Sequence, residues 1–243
     1  MAPTSSSNPY HALSLNPKEA RLGHMYVWEL PIRYTHWIMA VCITTLIVTG
    51  FFITYPVFSP PAGEPFNHFV MGRFRQIHFA AGSLLLLSYL TRTYWFFMGN
   101  KYARSGMAKF WDPNWYKIVF NQIIEYMKVD RGHAHLGHNA LAGASYVFMV
   151  GGVGVFQMIT GFAMYGESNP SGFWSRLCGW VIPFLGGSYR THLWHHMMTW
   201  VFVIFVIVHL YMTIFGSIRF KNGLVSSIIS GDKFYRTGDI DYD

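Results

Sequence analysis

The sequence is poor in charge and in cysteine, and it has no evident internal repeat. Only 12% of its 243 residues are charged, about half the share found in soluble domains, so an ordinary water-soluble globule is not expected. Its two cysteines, Cys42 and Cys178, are too few for a disulfide framework. Because 19% of the residues are aromatic, the chain also differs from disordered polypeptides, which lack the apolar side chains needed to build a core.

Long stretches without any formal charge are the strongest feature that is present. The four stretches cover residues 37–58, 79–91, 141–166 and 197–218. About 20 apolar residues in a helix cross the ~30 Å hydrocarbon core of a bilayer, whereas a membrane barrel needs short strands of alternating polarity. The sequence therefore predicts an all-α integral membrane protein, a bundle of four transmembrane helices. We place these helices at about residues 34–58, 76–98, 139–166 and 194–218.

The flanking segments predict how this four-helix domain, residues 24–220, is oriented. Residues 1–23 are polar and contain no apolar stretch, so no cleavable signal peptide is expected. Thirteen of the 18 lysines and arginines lie in or beside this segment, the connection between helices two and three, and the tail 221–243; four lie in the other two connections. This asymmetry predicts that both termini are cytoplasmic, and it explains the net charge of +7 without a nucleic-acid partner. Residues 112–127 mix aromatic and polar side chains, which predicts an interfacial cytoplasmic helix.

Four of the twelve histidines lie at membrane depth, where an ionisable side chain is costly and usually functional. They are His36 on helix one, His78 on helix two, and His195 and His209 on helix four. The last two are 14 residues apart, which is about 40° short of four full turns. They therefore share one helix face and are separated by roughly 21 Å along the helix axis.

Helix direction pairs these histidines by depth. Helix two runs inward from the outside, so His78 lies at the level of His195; helix one starts in the cytoplasm, so His36 lies at the level of His209. Each pair offers two imidazoles from facing helices, which suits the two opposite axial positions of a haem iron. No C-x-x-C-H motif is present for covalent attachment. The sequence predicts two b-type haems, with His36 and His209 on the cytoplasmic haem iron and His78 and His195 on the external one.

Two further histidines stand beside His195. His192 and His196 lie on other faces of helix four, turned by about 100° and 140° from His209. His195 therefore fits the shared face best, and either neighbour remains an alternative ligand.

Three other residues are predicted to border the haems. Gly82 lies one turn after His78, and Gly50 lies 14 residues after His36, where it faces the external haem across the same seam. Glycines at these positions leave room for a flat macrocycle. Arg92 lies 14 residues after His78, near the cytoplasmic haem, where its guanidinium either pairs with a propionate or extends to the membrane surface.

The histidines also have plainer explanations. In a haem-free membrane anchor they would only hydrogen-bond the helices to one another. A zinc or copper transporter is less well supported, since such a site needs three or four nitrogen, sulfur or carboxylate ligands together. His133, His135 and His138 lie before helix three. They line a quinone or proton site, or they serve only as hydrogen-bonding groups where the helix starts.

Four motifs resemble the cytochrome b subunit of membrane-bound respiratory (uptake) nickel-iron hydrogenases. From about residue 24 to 236 the chain contains, in this order, WELPIRYTHW, RQIHFAAG, GHNALAG and THLWHHMMTWVFVIFVIVHLYM. The resemblance implies four helices and two b-type haems, with ligands at His36, His78, His195 and His209. It also implies a multi-pass protein of the bacterial cytoplasmic (inner) membrane that passes electrons from the hydrogenase small subunit to quinone.

The resemblance further implies that partner subunits carry out the hydrogen chemistry. Two cysteines cannot supply nickel or iron–sulfur ligands, so hydrogen is activated in the partner large subunit, reached through the small subunit. The external connections 59–76 and 166–190 are then the expected docking surfaces. A quinone site is expected beside the cytoplasmic haem, with His138 as its candidate residue. The haem subunit of a formate dehydrogenase-like oxidoreductase has the same ligand layout and is the alternative within this class.

Overall fold

The computed structural model describes residues 22–57, 69–105, 111–128, 137–220 and 223–236. In these ranges the chain is mostly helical, with two short strands. The elements are β1 (Leu22–Tyr26), α1 (Leu30–Thr54), α2 (Val70–Met98), a 3-10 turn (Lys101–Arg104), α3 (Pro113–Lys128), α4 (Ala140–Tyr146), a π-helical segment (Val147–Gly154), α5 (Val155–Gly166), α6 (Phe173–Cys178), α7 (Val181–Phe184), α8 (Ser188–Phe220), α9 (Leu224–Ser230) and β2 (Asp232–Arg236).

Three helical stretches are long and apolar enough to cross a membrane: Leu30–Thr54, Ala140–Gly166 and Ser188–Ile218. The middle one is continuous through α4, the π-helical segment and α5. Most of the side chains on these stretches are not buried inside the protein, as expected where the surrounding solvent is lipid. Helix α1 ends just before Pro56 because the residue preceding a proline disfavours helical backbone.

Helix α2 has the length but not the composition of these three. Its 29 residues span about 43 Å at ~1.5 Å per residue. Arg73, Arg75 and Arg92 lie within it and lower its mean hydropathy. Three of the four predicted spans therefore meet both criteria in the described part of the chain, and α2 is a long helix that carries charge.

The long helices associate as two pairs. Helix α1 packs along α2, and α5 packs along α8; α2 also contacts α5, and α1 contacts α8. Each helix thus has two helical neighbours, which is the arrangement of a four-helix bundle.

One end of the bundle is closed by both ends of the described chain. Strands β1 and β2 pair antiparallel, from Leu22 opposite Arg236 to Tyr26 opposite Asp232. Helix α9 joins this sheet to α8, and Gly231 ends α9 with a φ of 94°, a backbone conformation that favours glycine. The carbonyl oxygen of Gly231 accepts hydrogen bonds from the backbone N–H groups of Val27 and Trp28. We call the part formed by β1, α9 and β2 the sheet end.

A hydrophobic cluster packs beneath the sheet. It is centred on Val27, Trp28, Ile32 and Ala103, which are all buried. The segment after α8, which sequence pattern alone would leave as a polar tail, therefore returns to the start of α1. The opposite end, which we call the far end, contains α6 and α7 packed on α5.

Helix α3 confirms the helix expected near residues 112–127. Trp115 and Gln122 are buried, whereas Tyr116, Ile118 and Phe120 are exposed. The Gln122 side chain accepts a 2.9 Å hydrogen bond from the backbone N–H of Leu141, which ties α3 to the first turn of α4. The exposed apolar face is the kind that lies in a membrane interface.

Candidate functional site

His36 and His209 lie close to each other near the sheet end. They come from α1 and α8, and their ring centres are 6.3 Å apart at an interplanar angle of 45°. A metal binds an imidazole nitrogen at about 2.0 Å, with the ring centre roughly 1 Å further away. Two imidazoles on opposite sides of one metal therefore have centres about 6 Å apart. The observed separation fits a shared haem iron.

The surroundings of this pair are mainly aromatic. The Trp37 ring lies 5.4 Å from the His36 ring, and the Phe205 ring lies 5.6 Å from the His209 ring. The Nδ1 atom of His36 is buried and has no hydrogen-bond partner among the described residues. His209 is exposed. This donor set, two imidazoles and no carboxylate, suits a haem iron better than a hard cation.

His78 and His195 lie toward the far end, and each is held by a buried threonine of a neighbouring helix. Thr49 Oγ1 on α1 lies 2.8 Å from His78 Nδ1, and Thr160 Oγ1 on α5 lies 2.8 Å from His195 Nδ1. Each threonine thus fixes the Nδ1 side of one imidazole against a neighbouring helix.

The two histidines beside His195 have other contacts. His192 is exposed, and its Nδ1 lies 3.0 Å from the Ser188 carbonyl oxygen one turn earlier. The His196 ring packs against Phe51 at 5.4 Å and against Tyr55 at 6.1 Å between ring centres. Of the three, His195 is the one whose ring contacts a threonine of α5.

Glycines border the far-end pair on both sides. A Cβ atom on Gly50 would lie 3.4 Å from His78 Cε1, and one on Gly161 would lie 3.3 Å from His195 Cε1. Gly50 is therefore next to His78. Gly82 differs, because a Cβ there would meet only Leu46 Cδ2, at 3.9 Å. Packing among the protein atoms does not itself require glycine at position 82.

Arg92 is turned into the protein near the sheet end. Only 7% of its surface is exposed. Its Nη2 donates a 3.2 Å hydrogen bond to the Ala103 carbonyl oxygen, and the guanidinium lies 5.2 Å from the centre of the Tyr146 ring. Its Nη1 is buried without a partner among the described residues. A buried guanidinium with a free N–H group is suited to bind an anion.

His138 lies among aromatic and basic side chains at the sheet end. Its ring is 4.8 Å from the Trp28 ring and 6.4 Å from the Tyr146 ring. Lys233 is nearly fully buried, with Nζ 3.5 Å from the Gly137 carbonyl oxygen and 5.3 Å from the Trp28 ring centre. Burial, with smaller effects from Lys233, Arg92 and His36, lowers the pKa of His138 to about 3. Its imidazole is therefore neutral at physiological pH.

Other sequence-predicted positions fall elsewhere. His133, His135 and most of the connection 59–76 lie outside the described residues. Among the residues that the structure describes, no group of three or more histidine, cysteine, aspartate or glutamate side chains is placed to hold a metal ion.

Sequence reasoning missed the two threonines, Gly161 and Lys233. The sequence did contain one signal for the two threonines and Gly161. The tripeptide Thr-Gly-Phe occurs at residues 49–51 and again at 160–162, a short internal repeat that becomes meaningful only when each copy is seen beside a histidine. Lys233 had no such signal, because its burial depends on the return of β2 to β1.

Comparison with known proteins identifies the family of this chain. The family model for prokaryotic cytochrome b561 matches residues 27–231. Proteins named probable Ni/Fe-hydrogenase B-type cytochrome subunit are similar to this chain. The protein from Azotobacter chroococcum is 38% identical over 216 residues, covering 87% of this chain and 89% of the relative. The protein from Cupriavidus necator is 39% identical over 218 residues, covering 87% and 86%.

A third relative extends the range of organisms. The probable Ni/Fe-hydrogenase 1 B-type cytochrome subunit of Escherichia coli is 35% identical over 221 residues, covering 88% of this chain and 93% of the relative. These matches confirm the resemblance read from the four sequence motifs, and a B-type cytochrome implies haem b. This chain belongs to the prokaryotic cytochrome b561 family, in the group of B-type cytochrome subunits of Ni/Fe hydrogenases.

Proposed function

We propose that this chain is a di-haem membrane subunit through which electrons from a periplasm-facing nickel-iron hydrogenase reach quinone. The observation that carries the proposal is the pair His36 and His209, whose ring centres are 6.3 Å apart, the separation expected of two imidazoles on one iron. Haem b held by each histidine pair would supply a one-electron carrier. The names of the relatives favour a hydrogenase over the formate dehydrogenase alternative.

The second haem is proposed to lie between His78 and His195. Support comes from the buried threonines that direct both imidazoles and from the glycines beside them. A Cβ atom on Gly82 would meet only Leu46 Cδ2 among the described residues, at 3.9 Å, and this glycine is proposed to admit the edge of the macrocycle. Because α8 is one continuous helix, His195 and His209 keep their common face, and the two sites are stacked roughly 21 Å apart along it.

Arg92 is proposed to bind a propionate of the haem between His36 and His209. Its guanidinium is buried, and one N–H group is unused among the described residues. This favours the propionate role over extension of the side chain to the membrane surface, since an arginine that extends in that way would be exposed to solvent.

Four membrane crossings are proposed, with both termini in the cytoplasm. The β1–β2 sheet brings the two ends of the described chain together, so the number of crossings is even. Three helices are apolar enough to span, and α2, with 29 residues, is the remaining candidate. The excess of lysine and arginine on the connections at the sheet end supports a cytoplasmic location for that end, in the bacterial inner membrane.

The quinone is proposed to bind at the sheet end, with His138 in its site. Quinone reduction consumes protons, and the sheet end is on the proposed cytoplasmic side. The neutral imidazole of His138 can donate or accept a hydrogen bond at a quinone oxygen. It lies beside Trp28 and Tyr146, whose rings give the flat apolar surface that a quinone ring requires.

The hydrogenase small subunit is proposed to dock on the far end. In the connection 166–190, the exposed residues include Phe173, Trp180, Phe184 and Tyr189. Arg176 and Arg190 are also exposed there. Aromatic residues and arginine are enriched in protein interfaces, and this connection lies beyond α5, on the side where the His78 and His195 pair would receive electrons.

A pyridine haemochrome assay on the purified subunit tests this function. We expect two b-type haems per chain, with one lost in each of four variants: His36→Ala, His78→Ala, His195→Ala and His209→Ala. The paired double variants His36→Ala/His209→Ala and His78→Ala/His195→Ala should still retain one haem each. His192→Ala is the matched control, and it should retain both haems. A haem-free protein would instead support a structural anchor, and bound zinc without a haem spectrum would support a transporter.

A further inference from the structure

The two far-end histidines, His78 and His195, make the same kind of contact with threonines on two different helices. Thr49 and Thr160 are almost fully buried. Each places its hydroxyl oxygen 2.8 Å from the Nδ1 atom of a histidine on a neighbouring helix: Thr49 from His78 on α2, and Thr160 from His195 on α8. The glycine that follows each threonine lets the same imidazole approach the helix backbone. Two independent copies of one arrangement argue against a chance contact.

The direction of the hydrogen bond follows from the helix backbone. Thr49 Oγ1 lies 2.6 Å from the Thr45 carbonyl oxygen, and Thr160 Oγ1 lies 2.8 Å from the Phe156 carbonyl oxygen. A carbonyl only accepts, so the single hydroxyl proton is donated to the carbonyl. The hydroxyl oxygen can then only accept from the imidazole. Nδ1 of each histidine must therefore carry the proton, which leaves Nε2 unprotonated and able to bind a metal.

The sheet-end histidines have no such support in the part of the chain that the structure describes. His36 Nδ1 is buried without a partner. The hydroxyl of Thr213, one turn after His209, donates to the His209 backbone carbonyl oxygen and not to its ring. The two histidine pairs thus differ in what their second ring nitrogen contacts.

We propose that Thr49 and Thr160 are positioning residues that fix the Nδ1–H form of His78 and His195 and lower the reduction potential of the iron these histidines hold. This proposal rests on the di-haem function above. A hydrogen bond donated by the outer N–H group of a ligand makes the imidazole more basic, and a more basic ligand favours the oxidised iron. Electrons move toward the higher potential. The threonines therefore favour electron transfer from the far end to the sheet end.

The test uses variants that keep shape and remove the hydroxyl. Thr49→Val, Thr160→Val and their double variant are compared with Thr49→Ser and Thr160→Ser, which restore an acceptor. Thr44→Val is the matched control, because Thr44 lies on α1 with Thr49 and, among the described residues, its hydroxyl bonds only to the Ala40 carbonyl oxygen. The reduction potentials of the two haems in the purified full-length protein are measured by optical potentiometry, with haem content determined in parallel.

We expect the valine variants to keep two haems and to raise the lower of the two potentials, with the double variant showing the largest rise. The serine variants and Thr44→Val should match the wild type. The same upward shift should occur in the His209→Ala background, where only the far-end haem is retained. Unchanged potentials in the valine variants would overturn the proposal, as would a shift of the higher potential alone.

Two other outcomes are informative. If a valine variant loses a haem, recovery of both the haem and its potential by serine supports the hydroxyl as the cause, and failure of serine to recover them refutes it. If the wild type carries no haem, the proposed function itself fails. Two haems with potentials insensitive to the threonines would leave that function standing and remove only this inference.

Discussion

Replacing Lys233 with methionine measures what a buried charge costs at the sheet end. Lys233 is 2% exposed, and its stem packs against the Trp28 ring. Burial lowers the pKa of Lys233 from 10.5 to about 8. At about 1.4 kcal/mol per pH unit, this difference corresponds to about 3 kcal/mol. Methionine keeps an unbranched apolar side chain of similar length and removes the charge.

The sign of the pH dependence follows from where each state loses its proton. The unfolded lysine stays protonated up to pH 10.5, whereas the folded one loses its proton near pH 8. Between these values the unfolded state binds more protons, so the free energy of unfolding rises with pH. The penalty is therefore present in full below about pH 8 and has disappeared above 10.5. We expect Lys233→Met to raise the free energy of unfolding by up to about 3 kcal/mol at pH 7.

Thermal unfolding in detergent, followed by circular dichroism from pH 7 to pH 10.5, is the assay. The Lys233→Met variant should have the higher midpoint at pH 7, and its advantage should shrink as the pH rises. Lys101→Met is the matched control, because the Lys101 ammonium lies over the Tyr102 ring at 5.1 Å but is exposed. Its contact is worth only about 0.5–1 kcal/mol. A Lys233→Met variant less stable than the wild type at pH 7 would refute the reasoning.

Three further predictions concern other parts of the structure. The pKa of His138 is about 3 in the folded protein and 6.5 in the unfolded chain, so between these values the unfolded state binds more protons. The thermal midpoint should therefore decrease as the pH is lowered from 6.5 to 3, and His138→Gln should make this decrease smaller. Gly166→Ala places a Cβ 2.7 Å from the Ser175 backbone nitrogen and should cost about 1–3 kcal/mol of unfolding free energy. Gly152→Ala, with nothing within 4 Å, should show no such loss of stability in the same thermal assay. Arg92→Leu should lower haem content by at most one per chain in the haemochrome assay, whereas the exposed Arg75→Leu retains both.

The long helices were predictable because a membrane imposes strong limits on sequence. A continuous apolar helix satisfies its own backbone groups inside lipid. The charge-free stretches 37–58, 141–166 and 197–218 therefore fall largely within α1, the continuous helical stretch from α4 to α5, and α8. Helix α2 is harder to recognise as a membrane span from its composition, because Arg92 lies inside it. The structure explains this arginine: it is buried against Tyr146 and Ala103, where it does not face lipid.

The pairing of His36 with His209 was also accessible from the sequence. It needed only the 3.6-residue period of a helix and the alternating direction of successive spans. The same period favoured His195 over His192 and His196, and the observed contacts of those two neighbours agree with it. That the four histidines hold haem stays a prediction until haem content is measured.

Only the tertiary structure determined the contacts between residues that are distant in sequence. The hydrogen bonds from His78 to Thr49 and from His195 to Thr160 join different helices. The burial of Lys233 depends on β2 returning more than 200 residues later to pair with β1. Sequence periodicity reports which face of one helix is apolar or polar, because that depends on local geometry alone. It does not report how two helices are rotated against each other, and that rotation determines which hydroxyl meets which imidazole.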